Sequence, residues 1–299
     1  MIYMDIISMR DLDKETIEAI FSRATRAERS KLPERKGIVA TAFFEPSTRT
    51  KLSFQSATER LGMKVIDFLT ETSSLVKGES FSDTIRMLDN YCDALVVRHP
   101  KEGSARLAAK LANHPVINGG DGGNEHPTQA LIDLYTIRKE KDRIAGLNVV
   151  LFGDLKHART MHSLIYGLAM FEAQITLIAP KGLEPAAGFV ETIEKKFGTK
   201  FKSKSEPNFA GADVIYSARV QEERFADKYE AKKVADQFRL NLEDLAVAKK
   251  DCIVLHPLPK RDEISPEVDS SPHARYFQQA ANAVPVRMGI IEHCLEVEK

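Results

Sequence analysis

The residues best equipped for chemistry stand together in Phe43-Phe44-Glu45-Pro46-Ser47-Thr48-Arg49-Thr50. Three hydroxyl groups flank a guanidinium whose planar fork suits the oxygens of a phosphate. The octet leaves an apolar, β-prone run, Gly37 to Phe44, and enters a pattern in which Phe54, Ala57 and Leu61 recur at helical spacing before Gly62. The turn therefore sits at a helix N-terminus, where backbone N–H groups lack intrahelical partners and the macrodipole favours an anion. An ordinary Ser/Thr cap accounts equally well for Ser47 alone. It does not account for Arg49 between two threonines.

The same arrangement of strand, polar turn and helix start recurs along the chain. The buried strand pattern Asp93 to Val97 ends in Arg98-His99-Pro100. Ligands bind at the carboxyl ends of strands in open α/β sheets, so Arg98 is a second candidate phosphate clamp, with a rim salt bridge as the alternative. After Pro115 to Asn118, the run Gly119-Gly120-Asp121-Gly122-Gly123-Asn124-Glu125 leads to His126-Pro127-Thr128-Gln129. Proline marks the helix start, and His126 and Gln129 can both aim at one small ligand.

The second half restarts with Leu147 to Gly153, followed by Asp154-Leu155-Lys156-His157-Ala158-Arg159. A dinucleotide reading fails, because Leu155 and Ala158 occupy the positions where the pyrophosphate needs glycine. Strand patterns follow at Gln174 to Ala179, Asp213 to Ser217 and Cys252 to His256, the last two leading into Arg219-Val220-Gln221 and His256-Pro257-Leu258-Pro259. For Arg159 or Arg219 alone a structural ion pair competes with a ligand; their shared position at strand ends favours a ligand.

The remaining segments read as scaffold. Ser8 to Glu28 carries Leu12, Ile17, Ile20 and Phe21 at helical spacing, Lys64 to Leu69 is strand-like, and Thr70 to Ser80 is a polar loop bearing Lys77 before Gly78. Lysines are mostly solvated, and composition alone gives Lys77 no other role. Phe81, Ile85, Leu88 and Cys92 share a helix face, Gly103 to Ala112 forms the next helix, and Leu131, Leu134, Tyr135 and Arg138 lead to a charged run at Lys139 to Arg143. That run is read as a domain boundary. Val286 to Leu295 forms a closing helix.

Alternating strands and helices over 299 residues predict an α/β protein of two similar domains, each a parallel sheet flanked by helices. Hydrophobic residues at 43% and charged residues at 29% are ordinary for a globular chain. Basic and acidic residues both number 43, so no general field draws nucleic acid or anionic lipid, and an anion site must be built locally. Cys92, Cys252 and Cys294 match neither a disulfide framework nor a metal pattern. With no membrane-length apolar run and no leader pattern, a cytoplasmic location is expected.

Phe-x-Glu-x-Ser-Thr-Arg-Thr, Arg98-His99-Pro100, His126-Pro127-Thr128-Gln129, Asp154-Leu155-Lys156-His157-Ala158-Arg159-Thr160, Arg219-Val220-Gln221 and His256-Pro257-Leu258-Pro259 occur in that order. The chain resembles the aspartate/ornithine carbamoyltransferases over nearly its whole length. It is closest to the aspartate-specific branch, since ornithine members carry a cysteine where Pro257 stands. Charge agrees: a dicarboxylate needs two cationic forks, and Arg159 and Arg219 supply them.

The resemblance implies a carbamoyl phosphate-binding domain over 1–141, completed by a C-terminal helix over 284–299, and an L-aspartate-binding domain over 142–283, with the active site in the cleft between them. It implies transfer of the carbamoyl group from carbamoyl phosphate to L-aspartate, giving N-carbamoyl-L-aspartate and phosphate, the committed step of pyrimidine synthesis, with no metal or cofactor. Ser47, Thr48, Arg49, Thr50, Arg98, His126, Gln129, Leu258 and Pro259 are implied to bind carbamoyl phosphate. Lys77, Arg159, Arg219 and Gln221 are implied to bind L-aspartate. Arg49, Thr50, Lys77, Arg98 and His126 are the implied catalytic set, and Glu45 with Arg224 is expected to brace domain closure.

A homotrimer with shared sites is implied, with Lys77 reaching a neighbouring subunit, and a zinc-containing regulatory chain is a further partner the resemblance admits. Three features depart from the family pattern: Lys260-Arg261 where one arginine is usual, glycine and glutamate in the 119–125 turn, and a Ser73-Ser74 pair that aligns in two ways. Two rival functions are transfer to another amine such as ornithine, and a non-catalytic phosphate-binding module.

Overall fold

The computed structural model describes residues 4–29, 32–220 and 227–296. The chain forms two compact units, one running to Ile132 and resumed from Asn282, the other spanning Asp133–Ala281. The division falls within the helix Pro127–Lys141.

The first unit holds a four-stranded sheet of β1 (Ile38–Phe43), β2 (Lys64–Leu69), β3 (Ala94–His99) and β4 (Val116–Asp121), in the order β2-β1-β3-β4. Every pairing is parallel. Parallel neighbours need crossovers, and helices supply them. The crossovers are α2 (Thr48–Arg60), α3 (Phe81–Asp89) and α4 (Ser104–Leu111), while α1 (Lys14–Glu28) precedes the first strand and α5 (Pro127–Lys141) follows the fourth. The chain passes from β1 to β2 on one side and then to β3 on the other, so the strand order reverses between β1 and β3. Ligands of open α/β sheets bind at that reversal. Ala40, Ala42, Leu95 and Val97 of β1 and β3 pack with Ile85, Leu88, Ala105 and Ala108 of the crossover helices in one buried cluster.

The second unit repeats the plan with β5 (Asn148–Gly153), β6 (Gln174–Ile178), β7 (Lys202–Lys204), β8 (Val214–Ala218) and β9 (Ile253–Leu255), ordered β7-β6-β5-β8-β9 and all parallel. Its helices are α6 (Arg159–Met170), α7 (Ala187–Phe197), α8 (Lys228–Gln237), α9 (Pro266–Asp269) and α10 (Tyr276–Ala281). Here the order reverses between β5 and β8. Phe152 anchors the core, stacked on Phe238 at 5.4 Å and edge-on to Phe209 at 5.1 Å. Each such aromatic pair contributes about 0.5–1.5 kcal/mol beyond its buried area.

The closing helix α11 (Ala283–Cys294) packs on α1 and α2 in the first unit. Gly289 permits this, for a Cβ there would stand 2.7 Å from the Ile20 carbonyl oxygen. All three thiols are buried, and burial pushes those of Cys92 and Cys252 up to about 12.

Several elements differ from the reading of the sequence. The first helix starts at Lys14 rather than Ser8, because Asp13 caps it by accepting from Thr16 N at 2.8 Å. The 70–80 loop is not structureless, containing two short 3₁₀ turns, Thr70–Thr72 and Ser74–Lys77. The edge strand β7 is fully exposed and has no apolar pattern by which to be read; pairing with β6 creates it. No described helix is long and apolar enough to cross a membrane.

Candidate active site

In the first unit the β1–β3 ladder sets two polar turns side by side. Phe43 lies opposite Arg98, and Phe44 N donates to the Arg98 carbonyl at 2.8 Å. Ser47 is extended at the N-cap of α2, and its side chain makes no capping bond, so the first turn of α2 is left to its own N–H donors. Thr48 and Arg49 are exposed there, and Thr50 is buried. Arg98 reaches the same end of the sheet, with Nη1 donating to the Gly119 carbonyl at 3.2 Å and Nε at 2.8 Å from Glu45 Oε1.

The 119–126 turn brings the histidine in. Asp121 accepts from Asn118 Nδ2 (3.0 Å), Gly103 N (2.8 Å) and Asn124 Nδ2 (3.1 Å), which fixes the loop after β4. His126, buried at the start of α5, stands with Nε2 3.5 Å from Thr50 Oγ1 and Nδ1 3.4 Å from Thr128 Oγ1. Gln129 is half-buried one turn along. The structure thus joins Thr50 to His126 and Arg98 to Glu45. Lys77 is exposed in the 3₁₀ turn that Gly78 closes at φ +90°. Ser73 spends its hydroxyl locally, donating to the Thr70 carbonyl at 2.8 Å and accepting from Leu75 N at 3.3 Å, whereas Ser74 is exposed.

The second unit gathers its predicted residues at the β5 and β8 ends. Gly153 has φ +113°, and a Cβ there would lie 2.0 Å from the Ala218 carbonyl oxygen. This glycine serves close strand approach, which explains the superficial likeness to a dinucleotide turn. Buried Asp154 accepts from Lys156 N (3.2 Å) and His157 N (2.9 Å), so the turn delivers half-buried Arg159 as the first residue of α6. Arg219 directly follows β8 and lines a cavity of about 340 Å³ with Lys232, Arg261 and Glu263. Lys260 is held by Asp269 at 3.0 Å, so of the two adjacent cations Arg261 is the one that faces this cavity. Leu258 has φ +55° and a cis bond to Pro259, and its N–H donates to His256 Nδ1 at 2.8 Å. Gln221 and Arg224 lie outside the described residues.

Two residues escaped the sequence reading. Arg287 of α11 is buried beneath the start of α2, its guanidinium 4.5 Å over the Phe54 ring and its Nη1 donating to the carbonyls of Arg49 (3.4 Å) and Thr50 (3.2 Å). Burial, with Arg98 adding repulsion, pushes this guanidinium down to about 9. A lone arginine in an apolar helix gives no local signal of such a place. Glu125, also buried, accepts from Ser8 Oγ (2.6 Å) and Met9 N (2.9 Å) and pairs with Arg10 Nε (3.1 Å), tying the N-terminal segment to the residue before His126. Its departure from the usual family residue was the available signal.

The aspartate/ornithine carbamoyltransferase carbamoyl-P binding domain matches residues 4–139, and the Asp/Orn binding domain of the same family matches residues 145–294. The chain belongs to the aspartate/ornithine carbamoyltransferase family. Within that family it is 48% identical to the aspartate carbamoyltransferase catalytic subunit of Methanocella arvoryzae over 98% of this chain and 97% of the relative. The Archaeoglobus fulgidus catalytic subunit is 46% identical over 97% and 98%. Among solved family structures, the M. jannaschii aspartate transcarbamoylase catalytic subunit superposes with TM-score 0.89 at 44% identity, covering 96% of each chain. The Trypanosoma cruzi enzyme in complex with N-(phosphonacetyl)-L-aspartic acid superposes with TM-score 0.90 at 35% identity, covering 96% of this chain and 94% of its own.

Proposed function

We propose that this chain transfers the carbamoyl group of carbamoyl phosphate to the amine of L-aspartate, giving N-carbamoyl-L-aspartate and phosphate, the committed step of pyrimidine synthesis. The observation that carries the reading is the buried approach of Thr50 and His126 at two helix starts, beside Arg98 on the neighbouring strand. The first-turn amides of α2 with Ser47, Thr48, Arg49 and Arg98 hold the phosphate. Thr50, Arg98 and His126 point donors at the carbonyl oxygen, where negative charge grows as the amine attacks. This role needs the His126 proton on Nε2, the nitrogen that stands 3.5 Å from Thr50 Oγ1. Removing one such donor costs on the order of 10²–10³ in rate.

Gln129 and the carbonyls of Leu258 and Pro259 accept from the carbamoyl amide and fix its plane. Arg159 and Arg219, with Gln221, hold the two carboxylates of aspartate. Arg261 adds a third cation beside Arg219. Positioning the two reactants is itself a large term, and the departing phosphate takes the amine proton. Glu45 and Arg224 brace closure, Glu45 keeping Arg98 oriented meanwhile. Lys77 and Ser74 serve a neighbouring subunit of a homotrimer, and a zinc-containing regulatory chain is a partner tested by sizing the chain with and without it. The three free, buried cysteines accord with work in a reducing cytoplasm.

A product assay comparing L-aspartate with L-ornithine as acceptor tests the reaction. Carbamoyl-aspartate is expected. Product from ornithine alone, or from neither, overturns the assignment.

A further inference from the structure

Behind the His256-Pro257-Leu258-Pro259 turn lies a buried chain of polar groups that the reaction just described does not use. Gln279 of α10 is 1% exposed, and its two amide atoms face different partners. Oε1 accepts from His256 N at 2.9 Å, and Nε2 donates to Asp133 Oδ1 at 2.6 Å. Asp133 is fully buried, and its other oxygen accepts from the Tyr216 hydroxyl at 2.9 Å. The β9 ladder ends at Leu255, so the next N–H, that of His256, has a side chain rather than a strand as its acceptor. The His256 ring continues the chain, with Nδ1 accepting from Leu258 N at 2.8 Å and Nε2 standing 2.8 Å from buried Glu263 Oε1.

We infer that Gln279, oriented by Asp133, is a positioning residue for the Leu258 and Pro259 carbonyls, a conclusion that rests on the reading above that these carbonyls hold the carbamoyl amide. The amide is suited to this place because it alone offers an acceptor to His256 N and a donor to the Asp133 carboxylate at once. Tyr216 fixes the carboxylate from its far side, so rotation of either end would cost a buried bond. His256 then transmits the anchor from its own backbone, through its ring, to the backbone of Leu258. A shift of the turn displaces both carbonyls together, and displacement of a reacting group by about 1 Å costs on the order of a hundredfold in rate.

The test uses the full chain, steady-state kinetics and inhibition by inorganic phosphate. Gln279→Leu should lower kcat by on the order of tenfold or more while leaving phosphate inhibition within about twofold, since the phosphate groups are untouched. Tyr216→Phe removes a bond to the same carboxylate one step further from the turn; it should lower the melting temperature comparably and lower kcat clearly less than Gln279→Leu does.

Gln279→Glu should be impaired by two facing carboxylates. The pair Asp133→Asn with Gln279→Glu exchanges donor and acceptor, allows the Gln279–Asp133, Tyr216–Asp133 and His256 N bonds described above to persist, and should restore most of the lost kcat. If Gln279→Leu is folded and retains kcat, or loses no more than Tyr216→Phe, the positioning role is overturned. If Gln279→Leu does not fold, equal kcat for Gln279→Glu and the exchange pair overturns it instead. Activity of the unaltered chain with L-aspartate separates the two readings: its absence removes both, whereas its presence with unresponsive Gln279 variants removes only this one.

Discussion

In the proposed mechanism Arg49 and His126 meet the same ligand in different ways, and their loss should differ accordingly. Arg49 is assigned to the phosphate before and during the reaction, so Arg49→Ala should raise the carbamoyl phosphate KM as well as lower kcat. His126 is assigned to the oxygen where charge develops, so His126→Ala should fall mainly on kcat. Full kcat in either variant would remove its assigned role. Arg219→Ala should weaken L-aspartate binding by about 2–4 kcal/mol, the worth of a bidentate charged contact, and affect carbamoyl phosphate far less. Equal weakening of both substrates would merge the two pockets into one. Arg287 adds a residue-scale expectation of its own. It carries a buried charge beneath the helix start, and a bound anion offsets that cost, so phosphate should protect the native chain against heat more than it protects Arg287→Met. Equal protection would confine Arg287 to packing.

At the scale of elements, Asp89 fastens the end of α3 to the turn before β4. Its carboxylate accepts from Asn113 N, Asn113 Nδ2 and His114 N at 2.9–3.0 Å. Burial alone would raise the Asp89 carboxyl, but these donors outweigh burial and hold it below the ordinary carboxylate range. A depressed folded value means stability present above the unfolded value of about 3.9 and lost as pH falls through the lower folded one. Asp89→Asn should therefore be destabilised by about 1–3 kcal/mol at neutral pH, with the gap from the native chain closing in acid. Parallel urea midpoints from pH 7 to pH 3 would contradict this. Gly289→Ala drives a methyl into the Ile20 carbonyl and should cost about 1–3 kcal/mol or more.

The strands flanking the site were readable because buried parallel strands are continuous apolar runs, and the turns because proline, glycine and hydroxyl residues mark helix starts. Exposed β7, buried Arg287 and the Gln279 anchor were not, since partners distant in sequence decide each of them.

For the whole molecule, both units place the order reversal of a parallel sheet beneath their candidate residues, one at β1/β3 and the other at β5/β8. One duplicated plan would thus serve a phosphate in one unit and carboxylates in the other under the proposed function. The proposed sharing of sites between subunits is open to a mixing experiment. Lys77→Ala and Arg49→Ala chains should each be nearly inactive, yet co-denatured and reassembled in equal amounts they should regain roughly a quarter of native activity. That fraction arises because roughly three quarters of the trimers are mixed and each has about one site in three with both residues native. Trimers that form and stay inactive would return Lys77 to its own chain. The buried thiols bear on how such an experiment is followed. With Cys92, Cys252 and Cys294 shielded and protonated at neutral pH, the native chain is a silent background for maleimide dyes. A fluorophore on Ser74→Cys would then report from the 70–80 loop alone, making subunit exchange visible in real time without removing a single natural cysteine.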